Sequence, residues 1–266
     1  MTMEQFLALV VVGLGIGIFG TLIGAGGGFI LMPLLLIMYP EENPELLTSI
    51  SLAVVFFNAL SGSVAYARMK RIDFRSGILF SLATVPGAIL GALSTSYIPR
   101  RTFNVIFGLA LISASLFLFL NPRRRGEAEG AAEGASQIPG IGSVQYNTTV
   151  GVIISLFVGF ASSVLGIGGG IIHVPALIHV LNFPVHIATA TSHFILSVMS
   201  FTGTAVHAVA GDLSHGIVRT VALAVGAVVG AQIGARLSNR VHGTWIVRGL
   251  ATALAFVGIR LLTMAL

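Results

Sequence analysis

Few residues in this chain have side chains fit for chemistry, and most of those gather around two glycine clusters. Gly24, Gly26, Gly27 and Gly28 recur in the same register, 142 positions on, as Gly166, Gly168, Gly169 and Gly170, and each cluster is followed by a proline, Pro33 or Pro175. A glycine run inside apolar sequence breaks a helix, because glycine has the most backbone freedom to lose and leaves its amides uncovered. The short helix that resumes after each break starts with unpaired N–H groups and the positive end of its dipole, an arrangement that favours anions. Hydroxyls lie close in sequence: Thr21 before the first break, Ser162 and Ser163 before the second, and Ser51 and Ser192, which open the helices expected to follow. The glycines, with Thr21, Ser51, Ser163 and Ser192, form the candidate set for binding a small anionic substrate. Close helix packing is the other use such glycines have.

All seven histidines lie in the second half: His173, His179, His186, His193, His207, His215 and His242. His186, His193 and His207 fall near one face of a helix at 3.6 residues per turn. His173 stands three residues past its glycine break. Imidazole titrates near neutral pH, so His173 and His193 are the candidates to carry a proton with a substrate or to donate to it. His179, His186, His215 and His242 are read as structural or interfacial. No metal site is expected, since cysteine is absent and no carboxylate lies near His173 or His193. Asn58 is a polar residue in mid-segment, with Met199 at the repeat position; it lines a pathway or bonds across helices.

These residues need a membrane to hold them in place. The chain has 266 residues, 55% hydrophobic and 9% charged, and carries no charged residue from Gln5 to Pro40 or from Gly134 to Gly211. Soluble domains carry about a quarter charged residues. Apolar stretches of about 20 residues imply an all-α integral membrane protein in the cytoplasmic membrane, with the lipid bilayer as its main partner. The net charge of +5 sits mainly between apolar segments, where topology signals belong, so nucleic acid is excluded as a partner. Met1 to Gln5 lacks a basic leader region, so the first segment is expected to stay in place.

In order, the chain is expected to form a first repeat over residues 1–120, a polar, small-residue cytoplasmic linker over 121–147, and a second repeat over 148–266. Each repeat holds a glycine-broken stretch followed by three spanning helices. Beyond the breaks, Gly62 answers Gly203, and Gly87 to Ala92 answers Gly226 to Ala231, a small-residue pattern read as helix packing. If each broken stretch crosses the bilayer once, the halves are parallel; if it turns back as a hairpin, they are inverted. The hairpin puts Arg236 and Arg240 on the same side as Arg68, Lys70, Arg71 and Arg123, which satisfies the positive-inside rule better, so inverted repeats are expected. Matching breaks in two such halves are the pattern of a transporter whose substrate site lies near the midplane.

No Asp or Glu falls inside an apolar segment, which disfavours a cation carrier and favours an oxyanion held by N–H groups and hydroxyls. No phosphate-binding loop, protease signature or His-Glu-x-x-His motif is present, so neither an enzyme nor a cofactor is expected. The paired motifs from Gly24 to Pro33 and from Gly166 to Pro175, with Pro86 to Ala92, resemble the sulfite exporter TauE/SafE family of membrane transporters over nearly the whole chain outside the linker. Val225 stands where Pro86 does in the first half. The resemblance implies transport of sulfur-containing or organosulfonate anions such as sulfite, sulfoacetate or thiosulfate without ATP. A passive small-anion channel is the alternative. Direction, stoichiometry and oligomeric state are not legible in the sequence.

Overall fold

The computed structural model describes residues 2–120, 146–238, 251–252, 254–256, 258–259 and 262–263. The linker expected over 121–147 thus lies outside the described residues except for Tyr146 and Asn147, as do Arg240 and His242. Helix α1 (Met3–Ile23) opens with a capping box in which Thr2 and Gln5 satisfy each other's backbone N–H groups, and it stops at Gly24, whose φ is 80°. Helix α2 (Gly28–Met38) follows. Helix α3 (Pro44–Arg68) starts with proline in its first turn, where the missing N–H would have had no partner. The Asp73 carboxylate caps α4 (Phe74–Thr95) by accepting from the N–H groups of Arg75 and Ser76.

Helix α5 (Arg100–Leu120) ends the first half. In the second, Asn147 caps α6 (Thr148–Leu165), which stops at Gly166 with φ 67°. Helix α7 (Gly170–His179), α8 (Val185–Ala210), a 3-10 turn (Asp212–Gly216) and α9 (Ile217–Leu237) follow. Among the described residues there is no strand, and six helices, α1, α3, α4, α6, α8 and α9, are long and apolar enough to cross a membrane. Large apolar side chains such as Leu7, Val11, Leu82, Leu90, Val221 and Val229 are exposed on these helices, as a lipid-facing surface requires.

Glycine decides how the halves fit together. Lipid offers helices no hydrophobic reason to associate, so close approach and dispersion must do it, and small residues allow that approach. Gly13, Gly17, Gly226, Gly230 and Gly234 put the backbones of α1 and α9 in direct contact. Gly87, Gly91 and Gly159 do the same for α4 and α6. The pairing is an exchange: the first helix of each half packs on the helix that follows the long central one in the other half. The long central helices, α3 and α8, pack on each other in opposite directions, with Gly62 against His193 and Leu52 against Gly203. At one end of the bundle Arg219 donates to Glu42 at 2.9 Å and lies over the Tyr39 ring, tying the loop after α2 to α9.

Two glycines of α1 separate packing from propensity. A methyl group on Gly17 would sit 2.8 Å from the Ala227 Cα, whereas one on Gly15 would meet nothing within 4 Å. Gly17→Ala should therefore destabilise by about 1–3 kcal/mol through overpacking, and Gly15→Ala should stabilise by about 0.5–1 kcal/mol through helix propensity. Thermal unfolding of the two variants in the same detergent checks the opposite signs.

Candidate functional site

The two breaks have the same backbone. Gly24, Gly26 and Gly27 have φ of 80°, 74° and 80°; Gly166, Gly168 and Gly169 have 67°, 78° and 73°. These are left-handed conformations that side-chain-bearing residues resist, which is why each cluster holds three such glycines. The N–H groups of Gly24, Ala25 and Gly26 turn back to Gly20 O, closing the end of α1. The N–H groups at the helix starts without a backbone acceptor are those of Gly28 and Phe29 in α2 and of Ile171 in α7, whose first amide, Gly170 N–H, donates to Gly168 O at 3.0 Å.

The breaks meet. A methyl group built on Gly28 would lie 2.6 Å from the Ile167 carbonyl oxygen, and one on Gly170 would lie 2.6 Å from the Gly24 carbonyl oxygen. Gly24 to Gly28 and Gly166 to Gly170 are all buried. Val55 of α3 abuts Gly26, Gly28 and Gly168, and Leu196 of α8 abuts Gly26. Each break is also held by the other half. Ser192 Oγ donates to Gly24 O at 3.3 Å, and Ser51 Oγ donates to Gly166 O at 2.5 Å. Both serines lie two turns inside their helices rather than opening them as expected, because α3 already starts at Pro44 and α8 at Val185.

At the first break the polar groups form a closed chain. The Thr21 hydroxyl donates to Asn58 Oδ1 at 3.1 Å, so the 3.3 Å contact with His193 assigns the proton to His193 Nε2, which donates to the same hydroxyl. Asn58 Nδ2 donates to Gly26 O at 2.9 Å, and the Tyr66 hydroxyl donates to Thr21 O at 2.7 Å. Thr21, Asn58, Ser192 and His193 are completely buried. Asn58 thus bonds across helices and fixes the break itself. Of the expected residues, Thr21, Ser192, His193 and the first glycine cluster come together here; Ser51, Ser163 and the second cluster come together beside them.

His173 does not join this cluster. Its Nε2 lies 3.1 Å from Ser155 Oγ, two turns back along α6 from Ser162, and its ring meets Phe80 edge-on. His186 is exposed, although it shares a helix with His193. His207 accompanies Asp212 at 2.8 Å at the end of α8, beside a cavity of about 230 Å³ that is separate from the breaks. Among the described residues no group of three or more His, Asp or Glu could hold a metal. Sequence reasoning missed Tyr66, Val55 and Leu196. Val55 and Leu196 occupy equivalent positions in the two repeats, a signal that could have found them, whereas nothing local marks Tyr66.

The chain from residue 9 to residue 261 matches the family model described as Sulfite exporter TauE/SafE, and it belongs to that family. A protein of Bacillus subtilis (strain 168) named "Probable membrane transporter protein YunE" is 32% identical over 97% of this chain and 97% of its own length. Proteins named "Probable membrane transporter protein" from Xylella fastidiosa (strain 9a5c), 29% identical over 76% of this chain and 72% of theirs, and from Haemophilus influenzae, 26% identical over 66% and 62%, are also similar. No solved structure matches. The chain is therefore a multi-pass membrane transporter and not an enzyme.

Because Asn58 satisfies both a break carbonyl and the Thr21 hydroxyl, Asn58→Met leaves two buried polar groups without it. An unpaired buried group costs about 1–3 kcal/mol, so the variant should unfold at a clearly lower temperature than the natural protein, as read by thermal denaturation in detergent.

Proposed function

We propose that this member of the family is a secondary carrier that moves a small sulfur-containing or organosulfonate anion, such as sulfite, sulfoacetate or thiosulfate, across the cytoplasmic membrane. The anion binds between the two glycine breaks near the midplane. The observation that carries this reading is the meeting of two helix N-termini, those of α2 and α7, beside buried hydroxyls, in segments that contain no acidic side chain. An anion there would replace its hydration with amide and hydroxyl donors. Burial of both breaks supports a carrier that opens to one side at a time over a passive channel.

The two halves, 1–120 and 148–266 about the linker 121–147, act as inverted repeats. The opposite directions of α3 and α8, which occupy equivalent places in the two halves, support this. His193, bonded to Thr21 at the first break, is the leading candidate for proton coupling, and His173 is the second. A proton on His193 would change the donor pattern of the chain that holds the break, which links proton movement to opening.

Reconstituted protein in proteoliposomes should take up at least one of labelled sulfite, thiosulfate or sulfoacetate saturably, and faster under an imposed pH gradient. His193→Gln should abolish the stimulation by the gradient. Linear, gradient-insensitive flux would instead identify a channel, and absence of flux for every anion would end the anion reading. The natural chain has no cysteine, so Lys70→Cys and Ser214→Cys can each be probed alone with an impermeant thiol reagent. Inverted repeats place them on opposite sides; labelling from one side only would refute the inversion.

A further inference from the structure

The two breaks share a backbone but not a polar environment. At the first, the Thr21 hydroxyl is engaged by Asn58 and His193. The residue in Thr21's place at the second break is Ser163, and the partners there are changed. Met199 stands for Asn58 and Leu52 stands for His193. Leu52 Cδ1 and Ser163 Oγ both lie against Gly203, as His193 and Thr21 lie against Gly62. The substitution removes both side-chain groups that answer the hydroxyl at the first break, and Ser163 Oγ is buried with no partner in the protein.

Two further hydroxyls are in the same condition at this break. Ser162 Oγ faces Gly169, the residue that caps the N-terminus of α7, and a methyl group built on that glycine would lie 2.6 Å from it. The corresponding residue at the first break is Gly20, which has no hydroxyl. Thr48, packed on Gly166, has a hydroxyl that is likewise buried and unpaired. Thr48, Ser162 and Ser163 are all completely buried. Buried polar groups in proteins are paired as a rule, and a group of exceptions at one place calls for a cause.

We infer that the second break is the seat of the anion, whose oxygens accept from Ser162, Ser163, Thr48 and the Ile171 N–H of α7, while the first break, where the side-chain donors are engaged and the unpaired buried atom is the acceptor His193 Nδ1, is a pivot. This rests on the anion-carrier reading and refines it. Three neutral donors around a helix N-terminus suit the sulfonate or sulfite head, which presents three oxygens on one sulfur. Such a head offers each hydroxyl an oxygen of its own. The absence of a cationic side chain among these donors makes binding a matter of hydrogen bonds and dipole, so the anion can leave again on either side.

Binding of labelled sulfite, thiosulfate and sulfoacetate to the full chain in lipid nanodiscs tests this. Ser162→Ala and Ser163→Ala should each weaken binding about tenfold or more and leave the unfolding temperature unchanged or raised, since each removes an unpaired group. Met199→Asn, which supplies Ser163 with the amide that Thr21 has, should weaken binding similarly without lowering the unfolding temperature. Asn58→Met should lower the unfolding temperature yet keep Kd within about threefold. Natural affinity in both serine variants, or equal loss in Asn58→Met, overturns the assignment to the second break while leaving the carrier reading intact. Failure of the natural protein to bind any of the three anions overturns both.

Discussion

Hydrocarbon supplies no hydrogen bonds, so a broken helix inside a membrane survives only if protein answers its backbone. Here part of the answer to each break comes from the opposite half. Ser192 reaches Gly24 and Ser51 reaches Gly166, while Asn58 reaches Gly26 from within the first half. Each half thus leaves one carbonyl of its unwound segment to a serine of the other. The site and the association of the halves are therefore one arrangement, since separating the halves would expose both breaks at once.

The rest of the architecture follows from bringing those segments into contact. Gly28 and Gly170 let the breaks touch backbone to backbone, and the glycines of α1, α4, α6 and α9 let the flanking helices come close enough to keep them there. The exchange of partners, α1 with α9 and α4 with α6, wraps each half around the other. Val55 and Leu196 fill the space beside the glycines from the two central helices. The polar chain through Thr21, Asn58 and His193 ties both central helices to the first break, and Ser51 ties α3 to the second.

Duplication and divergence together explain this centre. A repeat supplies two equivalent breaks and a symmetric scaffold. Replacing a polar pair by Met199 and Leu52 at one of them leaves hydroxyls of the second break unanswered, while the first keeps its network. Symmetry carries the fold, and departure from symmetry gives the two breaks different polar surroundings.

The spans, the breaks, the need for glycine at them and the lack of intramembrane acids were legible in the sequence, because each depends on local composition or on the conformation of a single residue. The family was legible for the same reason, since its motif is short and occurs twice. Other features were decided only by tertiary structure. That Ser51 and Ser192 each hold the opposite break, that Asn58 bonds Gly26, and that His173 turns to Ser155 while His193 meets Thr21 depend on contacts between residues that are 115, 168, 32, 18 and 172 positions apart. No pattern along the chain encodes such pairings directly. They arise when close packing of glycine-faced helices selects which side chains can reach which carbonyls, and in an apolar medium each reachable polar group must find its partner or remain exposed as an exception.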